Sequence, residues 1–174
     1  MDWNAVLDAG DVDGGIINVV IEIPMGSNNK VEWRRDLKVM MIDRVEPSIF
    51  PKPANYGFIP QTLDEDSDEL DALVITNDPL PTNVFVQCRI LGIMKFTDDG
   101  EVDDKIICAP VDDRDGVVYK TVDDMPIEMM RQIRYHFEHY KDIKKKGTTK
   151  VEGYSGPDVA KNVIRDAQKR WKDQ

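Results

Sequence analysis

Histidine and cysteine each occur only twice in the 174 residues, and no stretch is both long and uniformly apolar. Two histidines leave little for a zinc centre. His136 and His139 stand three apart rather than the four of a helical ligand pair, with no third ligand nearby. They read as packing or subunit-contact residues. Cys88 and Cys108 both fall in apolar, strand-like runs, the setting of buried reduced thiols rather than of a disulfide or metal pair. A membrane span needs about 18 apolar residues in a row, and the run "IINVVIEIP" is broken by Asn18 and Glu22. The opening "MDWNAVLDAG" has neither the basic start nor the apolar centre of a secretory leader. The expectation is a cytoplasmic protein with no membrane partner. Basic charge is also in deficit: 33 acidic against 23 basic residues give a formal charge of −10. That argues against general nucleic-acid binding, which needs a basic footprint.

What is present fits one domain, residues 1–174, with 41% hydrophobic and 32% charged residues. Strand signals fill the first two-thirds: residues 16–24, 30–35, 37–45, 71–76, 84–96 and 105–111 are short, apolar and β-branched, with turn residues between them. Residues 47–62 hold four prolines, so they are expected as an ordered loop packed down by Phe50, Tyr56 and Phe58. After Asp124 and Pro126 the period changes. Met130, Ile133, Phe137 and Tyr140 recur at helical spacing, predicting about five turns stopped near Gly147. A second helix is expected from "SGPDVAKNV", with Ser155 and Asp158 at capping-box spacing and Val159, Val163, Ala167 and Trp171 as its apolar face. Ala160 and Ile164 lie beside that face. Strands followed by two helices make an α+β domain built on a small barrel.

The run "DEDSDELD" puts six carboxylates into eight residues at the doorstep of a strand. Two carboxylates about 4 Å apart repel by roughly 4 kcal/mol at an effective dielectric of about 20. A solvated loop escapes that cost by splaying; a loop held against a sheet needs cations. An EF-hand reading fails, because its sixth position is Glu69 instead of glycine and its twelfth is Ile75 instead of glutamate. Asp66, Asp68 and Asp71 can instead converge, and a second acidic turn, "TDDGEVDDK", carries Asp98 and Asp103. Hard oxygen donors of this kind select Mg²⁺ or Mn²⁺. Lys30, Arg44, Lys105 and Lys141 sit beside apolar neighbours, and Glu22 and Glu32 interrupt or edge strands. Acids for metal facing bases for phosphate describe a site for a small polyphosphate.

In order along the chain, "VVIEIP", "NKVEW", "MIDR", "PANYGF", "DEDSDELDALV", "KFTDDGEVDDK", "HFEHYKD" and "KVEGY" resemble the soluble family I inorganic pyrophosphatases, from about residue 12 onward. The resemblance implies a distorted five-stranded antiparallel barrel like an OB-fold, with helices packed on it. It also implies hydrolysis of pyrophosphate with several Mg²⁺ ions, Mn²⁺ being possible. Under it, Asp66, Asp71 and Asp103 hold the ions that activate water, and Asp98 with Asp103 holds those arriving with substrate. Asp68 is the general base, and Glu22 and Glu32 act through metal or bound water. Lys30, Arg44, Lys105, Tyr140 and Lys141 grip the phosphates, and Tyr56 lines the site. A homohexamer is the implied assembly.

Two positions depart from the family's pattern. Where an aromatic residue is usual, three places before the Asn of "NYG", stands Lys52. A cation there is open to several readings: tighter phosphate binding, repulsion of a metal, slower product release, or a side chain that reaches out to solvent. "GTTK" (147–150) stands where many bacterial members carry a tryptophan, which leaves the packing of that loop open. Two other functions are considered. A non-catalytic OB-like module would bind ions or a basic protein through its acidic rim. A hydrolase of nucleoside polyphosphates would need a glycine-rich phosphate loop, and none is present.

Overall fold

The computed structural model describes residues 1–114 and 118–174. After one helical turn, α1 (Trp3–Val6), the chain enters β1 (Ile16–Ile23), which is buried at seven of its eight positions. β2 (Asn29–Arg34) and β3 (Val39–Val45) form a separate hairpin, seated on the main sheet where Trp33 stacks on Phe58 with centroids 5.1 Å apart. Then come β4 (Asn55–Phe58), β5 (Asp71–Val74), the 14-residue β6 (Phe85–Asp98), the short β7 (Glu101–Val102) and β8 (Lys105–Pro110). A 3₁₀ turn at Val122–Asp124 leads into α2 (Ile127–His139), β9 (Thr149–Ser155) and α3 (Pro157–Lys172).

The expected α+β architecture is present, with two differences in the sheet. β1, β4, β5, β8 and β6 pair in sequence and β6 returns to β1, so five strands form a ring, though not one closed as a barrel. The pairing of β5 with β8 is parallel rather than antiparallel. The length of β6 makes it the hub: it pairs with β1 over 85–89, β8 over 88–94 and β9 over 93–98. Alternation sends side chains into two cores. Ala72, Val74, Ile106 and Cys108 face Ala160, Ile164 and Ala167 of α3, while Leu73, Ile75, Ile107 and Ala109 lie in the core that contains Ile133 and Phe137 of α2. Burial on both faces explains why these strands read as continuous apolar runs.

Other expectations need correcting. The proline-rich segment is not all loop, because "NYGF" forms β4 between β1 and β5. Gly57 permits that fit: a Cβ there would lie 2.0 Å from the Val20 carbonyl oxygen. "TKVEGYS", between the predicted helices, is the strand β9, with Val151 buried and Glu152 exposed. α2 has 13 residues, short of five turns. Gly147, at φ +74°, turns the chain into β9 rather than stopping the helix. α3 buries Ala160, Ile164 and Ala167, whereas Val159 is exposed, and its N-cap is Gly156 with no side-chain cap. Cys88 and Cys108 are buried free thiols. Among the described residues no helix is long and apolar enough to cross a membrane.

Candidate active site

One cavity of about 870 Å³ opens between the β2–β3 hairpin and the rim of the ring, and all thirteen anticipated site residues line it. β1 supplies Glu22, β2 supplies Lys30 and Glu32 on one face, and β3 supplies Arg44, the cross-strand partner of Lys30. Tyr56 comes from β4, while Asp71 and Lys105 are the first residues of the parallel neighbours β5 and β8. Asp98 ends β6 at a two-residue Asp99-Gly100 turn, both residues at positive φ, as a tight hairpin requires. Tyr140 and Lys141 follow directly on α2.

The acidic loop is held, not splayed. Arg35 Nε donates to Glu69 Oε1 at 2.7 Å, and its terminal nitrogen donates to the Ser67 carbonyl at 2.9 Å. Asn4 Nδ2 also donates to Glu69, and Arg170 of α3 lies 3.6 Å from Asp64. Burial pushes the Asp64 carboxyl up to about 6. Asp66 and Asp68 make no ion pair with any described residue. Partial desolvation, then the carboxylates of Asp66 and Glu69, raise the Asp68 carboxyl above its ordinary value. The loop is braced through Asp64, Ser67 and Glu69, while Asp66 and Asp68 stand exposed at its tip without a cation beside them, which leaves their carboxylates open to one.

Two acid–amine clusters flank it. Lys105, nearly fully buried, donates at 2.5 Å both to Asp71 and to Asp103, and the Tyr56 hydroxyl also donates to Asp71. Burial alone would lower the lysine, but the two carboxylates hold it well above its usual value. The Asp98 carboxylate accepts from Lys141 at 2.5 Å and from the Tyr140 hydroxyl at 3.1 Å. Glu22 is buried beside Asp71 and accepts from the Trp33 amide at 2.6 Å; burial, then Asp71, raises its carboxyl well above the ordinary range. Lys30 pairs with Glu32, and Arg44 pairs with Asp43 and Glu46.

Among the described residues no three carboxylate, imidazole or thiolate groups stand together as a preformed metal cage. The donor set nevertheless fits a divalent cation. Ten carboxylates line the cavity with seven cationic side chains, every potential ligand is a hard oxygen, and Asp66 and Asp68 have no cation of their own. Asp71 and Asp103 have one lysine between them.

Sequence reasoning missed Arg35, Asp64 and Glu69, which line the cavity and brace the loop. Arg35 reads as an ordinary surface charge, Asp64 and Glu69 as unassigned members of the acidic run, and only the contact between distant segments gives the three a role. It left Lys52 open. The side chain does not reach out to solvent: it is 8% exposed, and burial, then Lys105 and Lys30, bring its ammonium down to about 8 against the pull of Glu46. Thr148 of the "GTTK" loop accepts from the Asp99 amide, and Thr149 donates to the Glu138 carbonyl, so the loop ties the β6–β7 turn to α2. His136 is buried within the chain and stacked on Tyr140, whereas His139 pairs with Asp142.

Oxygen donors facing ammonium and guanidinium groups across one cavity define a class of site, one for a small anion bridged by hard cations. Comparison with known proteins gives the family. The model of the inorganic pyrophosphatase family matches residues 19–172. The chain is 60% identical over 174 residues to an inorganic pyrophosphatase of Neisseria meningitidis serogroup B, covering 99% of this chain and 98% of that one. It is 56% identical to that of Haemophilus influenzae, covering 99% of each. An inorganic pyrophosphatase structure from Neisseria gonorrhoeae superposes with a TM-score of 0.96 at 60% identity, covering 98% of this chain and 99% of that one. One from Thermus thermophilus gives 0.88 at 36% identity, covering 95% and 97%. The chain belongs to the inorganic pyrophosphatase family.

Proposed function

We propose that the chain hydrolyses pyrophosphate to two orthophosphates, with Asp68 as general base and divalent ions, Mg²⁺ or alternatively Mn²⁺, held by its carboxylates. The carrying observation is the convergence of ten carboxylates and seven cations on one cavity in a member of this family. Asp66, Asp71 and Asp103 would hold the ions nearest the attacking water, and Asp98 with Asp103 those arriving with substrate. Glu22 and Glu32 would act at the edge of that set, through metal or bound water. When bound, such ions supply Lewis acidity that acidifies water and neutralises phosphate charge.

The remaining steps belong to the side chains. The Asp68 carboxylate takes a proton from the attacking water. The water oxygen bonds to one phosphorus, the bridging P–O bond breaks, and its electron pair leaves on the second phosphate. Lys30, Arg44, Lys105, Lys141 and the Tyr140 hydroxyl grip the phosphate oxygens and take up the charge that grows on the leaving group. Tyr56 keeps Asp71 oriented. Lys105 and Lys141 pair with Asp71, Asp103 and Asp98, and would turn to the phosphate oxygens where divalent ions satisfied those carboxylates instead. A cytoplasmic homohexamer, the assembly that the resemblance implies, is part of the same proposal. The test is phosphate release from pyrophosphate, tripolyphosphate and ATP with Mg²⁺ present. Turnover of pyrophosphate well above the other two supports the reading; preference for ATP favours a nucleotide hydrolase, and inactivity favours a binding module.

A further inference from the structure

Seven cationic side chains line the cavity, and six of them are matched to carboxylates: Lys30 to Glu32, Arg34 to Asp36, Arg35 to Glu69, Arg44 to Asp43 and Glu46, Lys105 to Asp71 and Asp103, and Lys141 to Asp98. Lys52 is the seventh. Among the described residues its ammonium has no carboxylate partner and no hydrogen-bond acceptor. It is also among the most buried cations in the chain, at 8% exposure.

The chain holds it there by construction. Pro51 and Pro53 flank it, which restricts the segment to extended backbone. Its own amide donates to the Ser27 carbonyl at 2.9 Å, and its carbonyl accepts from the Gly26 amide at 2.9 Å, so both sides of the residue are pinned. The ammonium then sits inside three rings, 5.0 Å from the centroid of Tyr56, 5.4 Å from Tyr140 and 5.9 Å from Phe137. His136 backs this cage, stacked on Tyr140 at 5.6 Å and edge-on to Phe137 at 5.2 Å. Burial, then the neighbouring Lys52 charge, brings its imidazole down to about 3, so it stays neutral and offers the ammonium no competing charge. Rings favour a cation over their faces but accept none of its three N–H donors. Lys105 and Lys30 raise the cost of charge at this point, against the more distant pull of Glu46 and Asp71, neither of which pairs with it. An ammonium held among rings, near other ammonium groups and without an acceptor, matches an anion that the cavity is built to receive.

We infer that Lys52 is a substrate contact, its ammonium donating to a phosphate oxygen of pyrophosphate and retaining the orthophosphate product. The inference rests on the functional reading above and adds to it a contact from a residue whose type departs from the family's pattern. The two rings nearest the ammonium belong to Tyr56 and Tyr140, which also donate to Asp71 and Asp98. Lys52 thereby stands against the side chains that orient Asp71 and Asp98, two of the carboxylates that would hold the ions.

The test uses inorganic phosphate as the probe. Calorimetric titration of phosphate into the Mg²⁺-loaded protein is carried out for the wild type, Lys52→Met and Lys52→Gln, with thermal unfolding of each alongside. Methionine keeps the volume and the contact with the rings; glutamine keeps polar donors without charge and serves if the methionine variant fails to fold. A charge-assisted hydrogen bond corresponds to roughly 10- to 100-fold in affinity. The expected result is a loss of that size in both variants, with unfolding temperatures no lower than wild type. Phosphate affinity within threefold of wild type in a folded variant overturns the inference, as does a weakening accompanied by a lowered unfolding temperature in both, which marks a structural role. Pyrophosphate hydrolysis by the wild type in the same buffer separates the two readings. An active wild type with unchanged phosphate affinity in the variants refutes the Lys52 contact alone, whereas an inactive wild type refutes the functional reading.

Discussion

Replacing Lys105 with methionine leaves Asp71 and Asp103 facing each other without the ammonium that each accepts from at 2.5 Å. Lys105 is 2% exposed and its partners 22% and 28%, so the pair is largely shielded but not sealed. Breaking a buried ion pair by removing one partner costs about 3–5 kcal/mol. Partial solvent access puts this case at the lower end, about 3 kcal/mol. For a chain of this size that lowers the unfolding temperature by roughly 6–12 °C. The loss depends on the ions. A divalent cation between the two carboxylates replaces the missing charge, and at 100 times its Kd it returns about 2.7 kcal/mol. Unfolding is therefore followed by circular dichroism in EDTA and in excess Mg²⁺, for wild type and Lys105→Met. The gap is expected to be wide in EDTA and to narrow markedly in Mg²⁺, because the wild-type carboxylates already have a cation and gain less. Equal stability in EDTA, or a gap that Mg²⁺ leaves unchanged, refutes the view that the lysine and the metal ions neutralise the same charges.

Two further outcomes follow from the packing and the titrations. Ile133→Ala removes a fully buried side chain from the face of α2 that lies against the sheet, and such truncations cost about 2–5 kcal/mol. Because Tyr140 and Lys141 follow that helix, phosphate affinity should fall together with the urea midpoint. Lys52 has a folded value of about 8 against an ordinary 10.5, which corresponds to roughly 3 kcal/mol of destabilisation. That cost is full below about pH 8 and is relieved as pH rises toward 10.5, since the unfolded chain binds the proton more tightly. The three surrounding rings return part of it, so Lys52→Met should be about 1–2 kcal/mol more stable than wild type at pH 7, with the gap closing by pH 10 in chemical denaturation.

Much of this molecule is legible in its sequence, for reasons that differ by region. β1, β5, β8 and the centre of β6 at 90–94 stand out because burial on both faces makes them largely apolar runs bounded by turn or polar residues. β4 was hidden by its neighbours: four residues among prolines carry no periodicity, and their strand form depends on β1 and β5 arriving on either side. β9 was hidden by its polarity, since Lys150 and Glu152 flank its buried Val151. The parallel pairing of β5 with β8 is a property of the assembled ring and leaves no local mark. In the site, the charge density of residues 64–71 signalled cations, yet spacing alone did not bring Glu22, Arg44 and Lys141 to one cavity; the family resemblance did. Arg35 and Glu69 became intelligible only through their mutual contact. Lys52 was open in the sequence between a site contact and a solvated charge, and burial among three rings is what removes the second reading.

The most direct test of the central claim is phosphate release from pyrophosphate by the wild type and Asp68→Asn, each with Mg²⁺ and with excess EDTA. General-base catalysis typically contributes about 10²–10⁴-fold. Rapid release is expected from the wild type only with Mg²⁺, with a loss of at least about 100-fold in the folded mutant. Release that survives EDTA, or a mutant within about tenfold of wild type, would contradict it.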